Sequence, residues 1–155
     1  MTTGAHIESR CSIQQTLDLV GDRWTLLILR DIFRGVRRFS QLQDDLGIAR
    51  NLLADRLSKL VNAEILTKVI YHDRPVRYEY CLTLKGQALS PSLVALMHWG
   101  DQWCSNGEAP TLLVHAYCGT PLEQVTRCPR CDFGVEPAEI RSRPGPGTFR
   151  NQEAI

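Results

Sequence analysis

From residue 11 the apolar positions follow a helical period. Ile13, Leu17 and Val20 predict a short helix over 11–20, which Gly21 and Asp22 break. Asp22 is a good N-cap for the next helix, from Arg23 to about Arg34. Its Trp24, Leu26, Leu27, Ile28, Leu29, Ile32 and Phe33 lie on nearly every side, which predicts the central buried helix, stopped by Gly35. Two helices in tandem follow. Ser40 can cap the first, with Leu42 and Leu46 on its inner face, and Gly47-Ile48 makes a tight turn. The second runs from about Arg50 to Ala63. Leu53, Leu57, Leu60 and Val61 form its inward stripe; Asn51, Asp55, Lys59 and Asn62 lie outward, with Arg50 and Arg56 on the flank. A short helix, a glycine turn and a longer helix with a polar outer face make a helix-turn-helix candidate.

The period then drops to two. Leu66–Tyr71 reads as one strand, His72-Asp73-Arg74-Pro75 as a turn and Val76–Leu82 as the returning strand, a hairpin with a charged tip. Thr83 can cap a further helix, and Ser90-Pro91 opens another in which Leu93, Leu96, Met97, Gly100 and Trp103 continue one apolar face. So late and apolar a helix has few partners left in a small domain, so a second copy is its expected cover. After residue 106 the composition shifts to short strand-like pieces carrying His115, Cys118, Cys128 and Cys131, and an Arg-Pro-Gly-Pro-Gly run opens a polar tail. No internal repeat and no low-complexity block stands out. The expected organisation is an N-terminal arm (1–10), a helical domain with its hairpin (11–106), a Cys/His segment (107–140) and a flexible tail (141–155). The fold class is mainly α with a β-hairpin wing, followed by a small zinc-ribbon-like β segment.

The chain has 155 residues, 43% hydrophobic and 23% charged, which fits a soluble globular domain with an appendage. Its net charge of +1 taken whole argues against nucleic acid. The distribution argues otherwise. Residues 20–80 carry eleven basic and eight acidic side chains, whereas 81–140 carry three and six. No apolar run approaches the ~18 residues of a membrane span. With no secretory h-region before Cys11, a cytoplasmic protein with reduced thiols is expected, and its six cysteines then point to metal or redox chemistry.

A winged helix lays its second motif helix in the major groove, and its hairpin reaches a neighbouring groove or phosphates. Arg50, Asn51 and Arg56 lie near the start of that helix, where base contacts fall; Asn suits adenine and Arg suits guanine. Lys59 suits a phosphate. Arg74 and Arg77 on the wing suit phosphates or the minor groove, and Arg37 and Arg38 precede the motif. A solvated charged face on a small helical domain would show much the same pattern.

A series of short motifs narrows the choice. Cys11, Gly21-Asp22-Arg23-Trp24-Thr25-Leu26-Leu27-Ile28-Leu29-Arg30, Arg38-Phe39-Ser40-Gln41-Leu42, Leu57-Ser58-Lys59-Leu60, Pro75-Val76-Arg77-Tyr78-Glu79-Tyr80-Cys81-Leu82-Thr83 with Gly86, and Trp99-Gly100 follow in order over 11–103. The series resembles the HxlR-type helix-turn-helix family, small winged-helix transcription regulators related to the MarR group. The resemblance implies a homodimer on palindromic double-stranded operator DNA, joined through the first and late helices. It implies DNA contact through the second motif helix and wing, here Arg38, Ser40, Arg50, Asn51, Asp55, Arg56, Lys59, Arg74 and Arg77. A small-molecule effector or thiol oxidation is the kind of signal expected. In that family Ser or Thr typically caps the recognition helix. Ala49 stands there here, so either Asn51 caps a later start or the boundary differs.

Cys11 opens the first helix, where some such regulators sense oxidants, and a helix N-terminus lowers a thiol pKa. A small apolar residue on a dimer interface is the alternative. His115-x2-Cys118 and Cys128-x2-Cys131 have the spacing of two knuckles that together fill a structural tetrahedral Zn²⁺ site; three reduced cysteines and a hydrogen-bonded histidine are the alternative. An enzyme is not expected, since the ligand pairs are complete and no His-Glu-x-x-His or Ser-His-Asp arrangement occurs. A zinc-containing protein-interaction module without specific DNA binding is the competing function.

Overall fold

The computed structural model describes residues 11–146. The expected arm over 1–10 and the tail from 147 lie outside the described residues. Six α-helices and one hairpin follow in order: α1 (Ser12–Val20), α2 (Arg23–Phe33), α3 (Phe39–Leu46), α4 (Arg50–Asn62), β1 (Leu66–Asp73), β2 (Val76–Leu82), α5 (Leu84–Gln87) and α6 (Ser90–Trp103).

Local chemistry sets most boundaries. Asp22 caps α2, its Oδ1 accepting from the Trp24 and Thr25 N–H groups at 3.0 and 3.2 Å. Gly47 ends α3 in the left-handed region (φ 59°), where a Cβ is strained. Thr83 caps α5 by accepting from Gly86 N–H, and its hydroxyl donates to Glu64 O at 2.6 Å. At Gly86 an added Cβ would stand 2.3 Å from Ile65 O, so only glycine lets α5 close on the start of the wing.

Ile28, Leu29 and Ile32 of α2 meet Leu42 of α3, Leu53, Leu57 and Leu60 of α4, and Ile65 and Leu66 at the root of the wing. The stripe expected on α4 is thus the core, except that Val61 is only half-buried. α2 is central, but it buries one face and not every side. Arg23, Arg30 and Arg34 reach solvent, and the buried Asp31 carboxylate pairs with Arg30 and Arg34.

Three expected boundaries shift. Ser40 does not cap α3, because that helix starts at Phe39 with Arg38 in extended conformation before it. The cause lies in the wing: Tyr80 N–H donates to Arg37 O at 2.9 Å, and Arg38 forms an isolated bridge with Glu79, so the segment entering α3 is held extended against β2. Ser90 is the first residue of α6 and not its cap. The hairpin turn is tighter than expected: His72 pairs with Arg77 and Asp73 with Val76, and a register irregularity at Tyr71 absorbs the extra residue. Beyond α6, two isolated bridges, Val114 with Pro121 and Arg127 with Gly134, stand where strand-like pieces were expected. Among the described residues, no helix is long and apolar enough to cross a membrane.

Candidate nucleic-acid interface

The motif is α3, the Gly47 turn and α4, and the wing is clasped to it from the side. Arg38 Nε donates to Glu79 Oε1 at 2.9 Å, while its guanidinium lies 4.2 Å from the Tyr71 ring centroid. Arg38 therefore binds the wing to the motif. Ser40 is exposed on the first turn of α3.

α4 opens at Arg50. Ala49 precedes it in extended conformation without a side-chain cap, so Asn51 is a first-turn residue and not the cap. Arg50 and Asn51 are both exposed. The Arg50 guanidinium sits 5.3 Å from the Phe39 ring centroid, which orients it across the motif. Asn51 Oδ1 accepts from Leu52 N–H at 3.0 Å.

Further along α4 the charges are mutually engaged. Lys59 Nζ lies 2.9 Å from Asp55 Oδ2, and Arg56 Nη1 donates to the same oxygen at 2.6 Å. Hydrogen bonding from Lys59, with the charges of Lys59 and Arg56, lowers the Asp55 pKa against a smaller desolvation effect. Arg56 Nε donates to Asp22 Oδ1 at 3.0 Å, and the Arg56 side chain is 22% exposed. Arg56, expected at a base edge, is engaged here by Asp22 and Asp55, and its guanidinium joins α4 to the cap of α2. Partial burial raises the Asp22 pKa, but hydrogen bonds from Thr25 and the Arg56 charge outweigh it, so the net shift is downward.

On the wing, Arg74 and Arg77 are exposed, and His72 Nδ1 lies 2.9 Å from Pro75 O across the tip. Among the described residues, no ion pair involves Arg37, Arg50, Arg74 or Arg77. These open cations lie at the start of α4, before the motif and at the wing.

Cys11 occupies the N-cap position of α1 and is exposed. The N–H groups of Gln14 and Ile13 hold its pKa below the ordinary thiol value. His115 Nδ1 is 3.3 Å from Cys118 Sγ. Hydrogen bonding from Thr120, then from His115, lowers the Cys118 pKa to about 7. Cys128 is also lowered, by the N–H groups of Cys131 and Arg130 and by the Cys131 thiol. His115 thus lies beside Cys118, but among the described residues no three His, Cys, Asp or Glu side chains gather in metal-binding geometry.

Sequence reasoning missed one feature, an open apolar cleft of about 520 Å³ between α1, α2 and α6, lined by Leu17, Leu29, Leu93, Leu96 and Trp99 among others. The apolar stripes of α1 and α6 signal it, but only the fold shows that they border one cleft.

A helix-turn-helix clasped to a β-hairpin defines a winged-helix DNA-binding protein. The chain belongs to the HxlR-like helix-turn-helix family, whose model matches residues 19–108, and it is accordingly a helix-turn-helix transcription regulator. It is 42% identical over 137 residues to an uncharacterized HTH-type transcriptional regulator of Mycobacterium tuberculosis, covering 88% of this chain and 87% of the relative. The crystal structure of PA1607, a candidate transcription factor, matches with a TM-score of 0.79 and 34% identity over 89% of this chain and 97% of that one. The redox regulator HypR in its oxidized form matches with a TM-score of 0.55 and 28% identity over 59% of this chain and 96% of that one.

Proposed function

We propose that the protein is a sequence-specific regulator that binds palindromic operator DNA as a homodimer and responds to thiol oxidation through Cys11. The observation that carries the DNA reading is the placing of exposed Arg50 and Asn51 on the first turn of α4, beside a wing bearing unpaired Arg74 and Arg77. Arg50 and Asn51 read base edges, Arg74 and Arg77 meet phosphates or the minor groove, and Lys59 adds a phosphate contact once it leaves Asp55. Arg38, Asp55 and Arg56 position these groups. The apolar cleft and the exposed faces of α1 and α6 support dimerisation through a second copy.

The test is fluorescence anisotropy on the operator and on random duplex over a salt series. Arg50→Ala or Asn51→Ala is expected to cost about 1–3 kcal/mol on the operator alone. Arg74→Ala or Arg77→Ala should weaken binding to both duplexes and reduce the salt slope by about one each. Equal losses on both duplexes from all four variants would refute this division of roles. Binding that is absent or indifferent to salt would favour the protein-interaction module instead.

The likeness to HypR, a redox regulator, supports the thiol response, as does the depressed pKa of Cys11. Because that pKa is lowered, the thiolate forms at lower pH than in an ordinary thiol. Peptide-resolved alkylation of Cys11 should therefore reach half-maximal rate at a lower pH than that of a free cysteine peptide measured alongside. A midpoint at or above that of the peptide, or oxidant-driven release from DNA that persists in Cys11→Ser, would remove Cys11 from the mechanism.

A further inference from the structure

Residues 107–146 hold no buried side chain, and Leu112, Val114, Tyr117, Leu122, Val125 and Phe133 are exposed. No apolar core folds this segment. Its backbone is nevertheless ordered into two copies of one hydrogen-bonded turn. In the first, His115 N–H donates to Thr120 O at 2.9 Å, Gly119 N–H to His115 O at 2.8 Å and Leu122 N–H to Leu113 O at 2.8 Å. In the second, Cys128 N–H donates to Phe133 O at 3.1 Å, Asp132 N–H to Cys128 O at 2.9 Å and Val135 N–H to Thr126 O at 2.7 Å. Counted from His115 and from Cys128, the three bonds join the same relative positions. The two bridges, Val114 with Pro121 and Arg127 with Gly134, are equivalent in the same way. The fifth residue of each turn is left-handed, Gly119 at φ 71° and Asp132 at φ 65°.

Each turn places a potential ligand at its first and fourth positions. His115 Nδ1 and Cys118 Sγ are 3.3 Å apart, and Cys128 and Cys131 hold the same two places in the second turn. A duplicated knuckle with one ligand pair per copy supplies four ligands, three sulfurs and one imidazole nitrogen. That donor set suits Zn²⁺ and disfavours the hard cations Mg²⁺ and Ca²⁺.

We propose that His115, Cys118, Cys128 and Cys131 bind one structural Zn²⁺, which draws the two turns together and folds the C-terminal segment. Four protein ligands complete the tetrahedron, so the ion keeps no open position for catalysis. The two pairs stand apart here, and binding energy of this kind ordinarily supplies what a missing core does not. HypR matches only 59% of this chain while covering 96% of itself, so a winged helix of this type folds without such a segment. The mycobacterial match, at 137 residues, runs beyond the winged helix, which ends by residue 108. The site is independent of the DNA reading and survives its failure.

Elemental analysis decides it on the full chain purified without added metal or chelator. About one equivalent of zinc per chain is expected. Cys128→Ser with Cys131→Ser should lose that zinc, whereas Cys81→Ser with Cys104→Ser should keep it. Cobalt bound in its place should give a thiolate charge-transfer band and the intense visible absorption of a tetrahedral site. The double variant at 128 and 131 should melt like the parent over the winged helix but become protease-sensitive beyond residue 106, which separates metal loss from misfolding. Less than about a tenth of an equivalent of zinc would overturn the proposal, as would zinc retained by that variant or a Cys128–Cys131 disulfide in freshly purified protein.

Discussion

Leu96→Glu is expected to convert a dimer into a folded monomer and to lower operator affinity by about 10²–10⁴-fold. The size follows from linkage. Once one motif of a dimer is bound, the second meets its half-site at a high effective concentration, and a monomer loses that advantage. The selectivity follows from exposure. Leu96 is 55% exposed, beside Leu17 at 56% and Trp99 at 61%, so a carboxylate at 96 remains solvated in the isolated chain. Against a second copy the same carboxylate would be buried among apolar groups without a partner, at a cost of several kcal/mol. Light scattering should report half the mass, anisotropy should report the affinity loss, and the circular-dichroism melt should stay near that of the parent. A variant that stays dimeric, or a parent that is monomeric at micromolar concentration, would sink the assignment of this face.

What the sequence made legible follows from the range of the interactions involved. The stripe on α4 and the caps at Asp22 and Thr83 depend on residues within one or two turns of each other, so periodicity and residue type suffice to find them. The clasp of Arg38 to Glu79 spans 41 residues and that of Arg56 to Asp22 spans 34. A sequence records the charge of such residues but not their partners. Arg56 illustrates the consequence: on a helical wheel it flanks the polar face with Arg50, yet Arg50 is exposed outside any ion pair and Arg56 is held by Asp22. The start of α3 has the same long-range origin, since a distant strand and not Ser40 sets it. The duplicated knuckle was invisible as a repeat because its likeness lies in backbone hydrogen bonds. His115-Ala-Tyr-Cys118-Gly-Thr and Cys128-Pro-Arg-Cys131-Asp-Phe share only the cysteine at the fourth place.

Charge explains why a near-neutral protein can hold DNA. Pairing of Lys59 and Arg56 with Asp55, and of Arg38 with Glu79, mutes part of the positive segment. Among the described residues Arg23, Arg37, Arg50, Lys68, Arg74 and Arg77 of this segment remain outside any ion pair, and four of them, Arg37, Arg50, Arg74 and Arg77, are distributed between the motif and the wing. Affinity would then depend on a few phosphates, so the proposed dimerisation would matter more here than in a strongly basic monomer.

Asp22→Ala should destabilise the domain by about 1–2 kcal/mol, most of it from the lost cap of α2. A smaller share comes from Arg56, which would keep only Asp55. The Asp22 side chain is 40% exposed, so solvent screens that pair, and a coupling of about 0.5–1 kcal/mol is the appropriate scale. A double-mutant cycle with Arg56→Ala isolates it. The pH dependence follows from the direction of the shift. Asp22 titrates below its ordinary 3.8 in the folded chain, so the folded state favours the carboxylate. The associated stability is fully present above the unfolded value and is lost as pH falls through the lower, folded value. The parent should therefore exceed Asp22→Ala most at neutral pH, and the gap should narrow below about pH 4. Denaturant melts at neutral and acidic pH measure both effects. Since Arg56 connects α4 to the cap of α2, Arg56→Ala should also weaken operator binding while sparing the base preferences set by Arg50 and Asn51. A pH-independent gap, or a relaxed preference at a single base in Arg56→Ala, would return Arg56 to the base-reading surface.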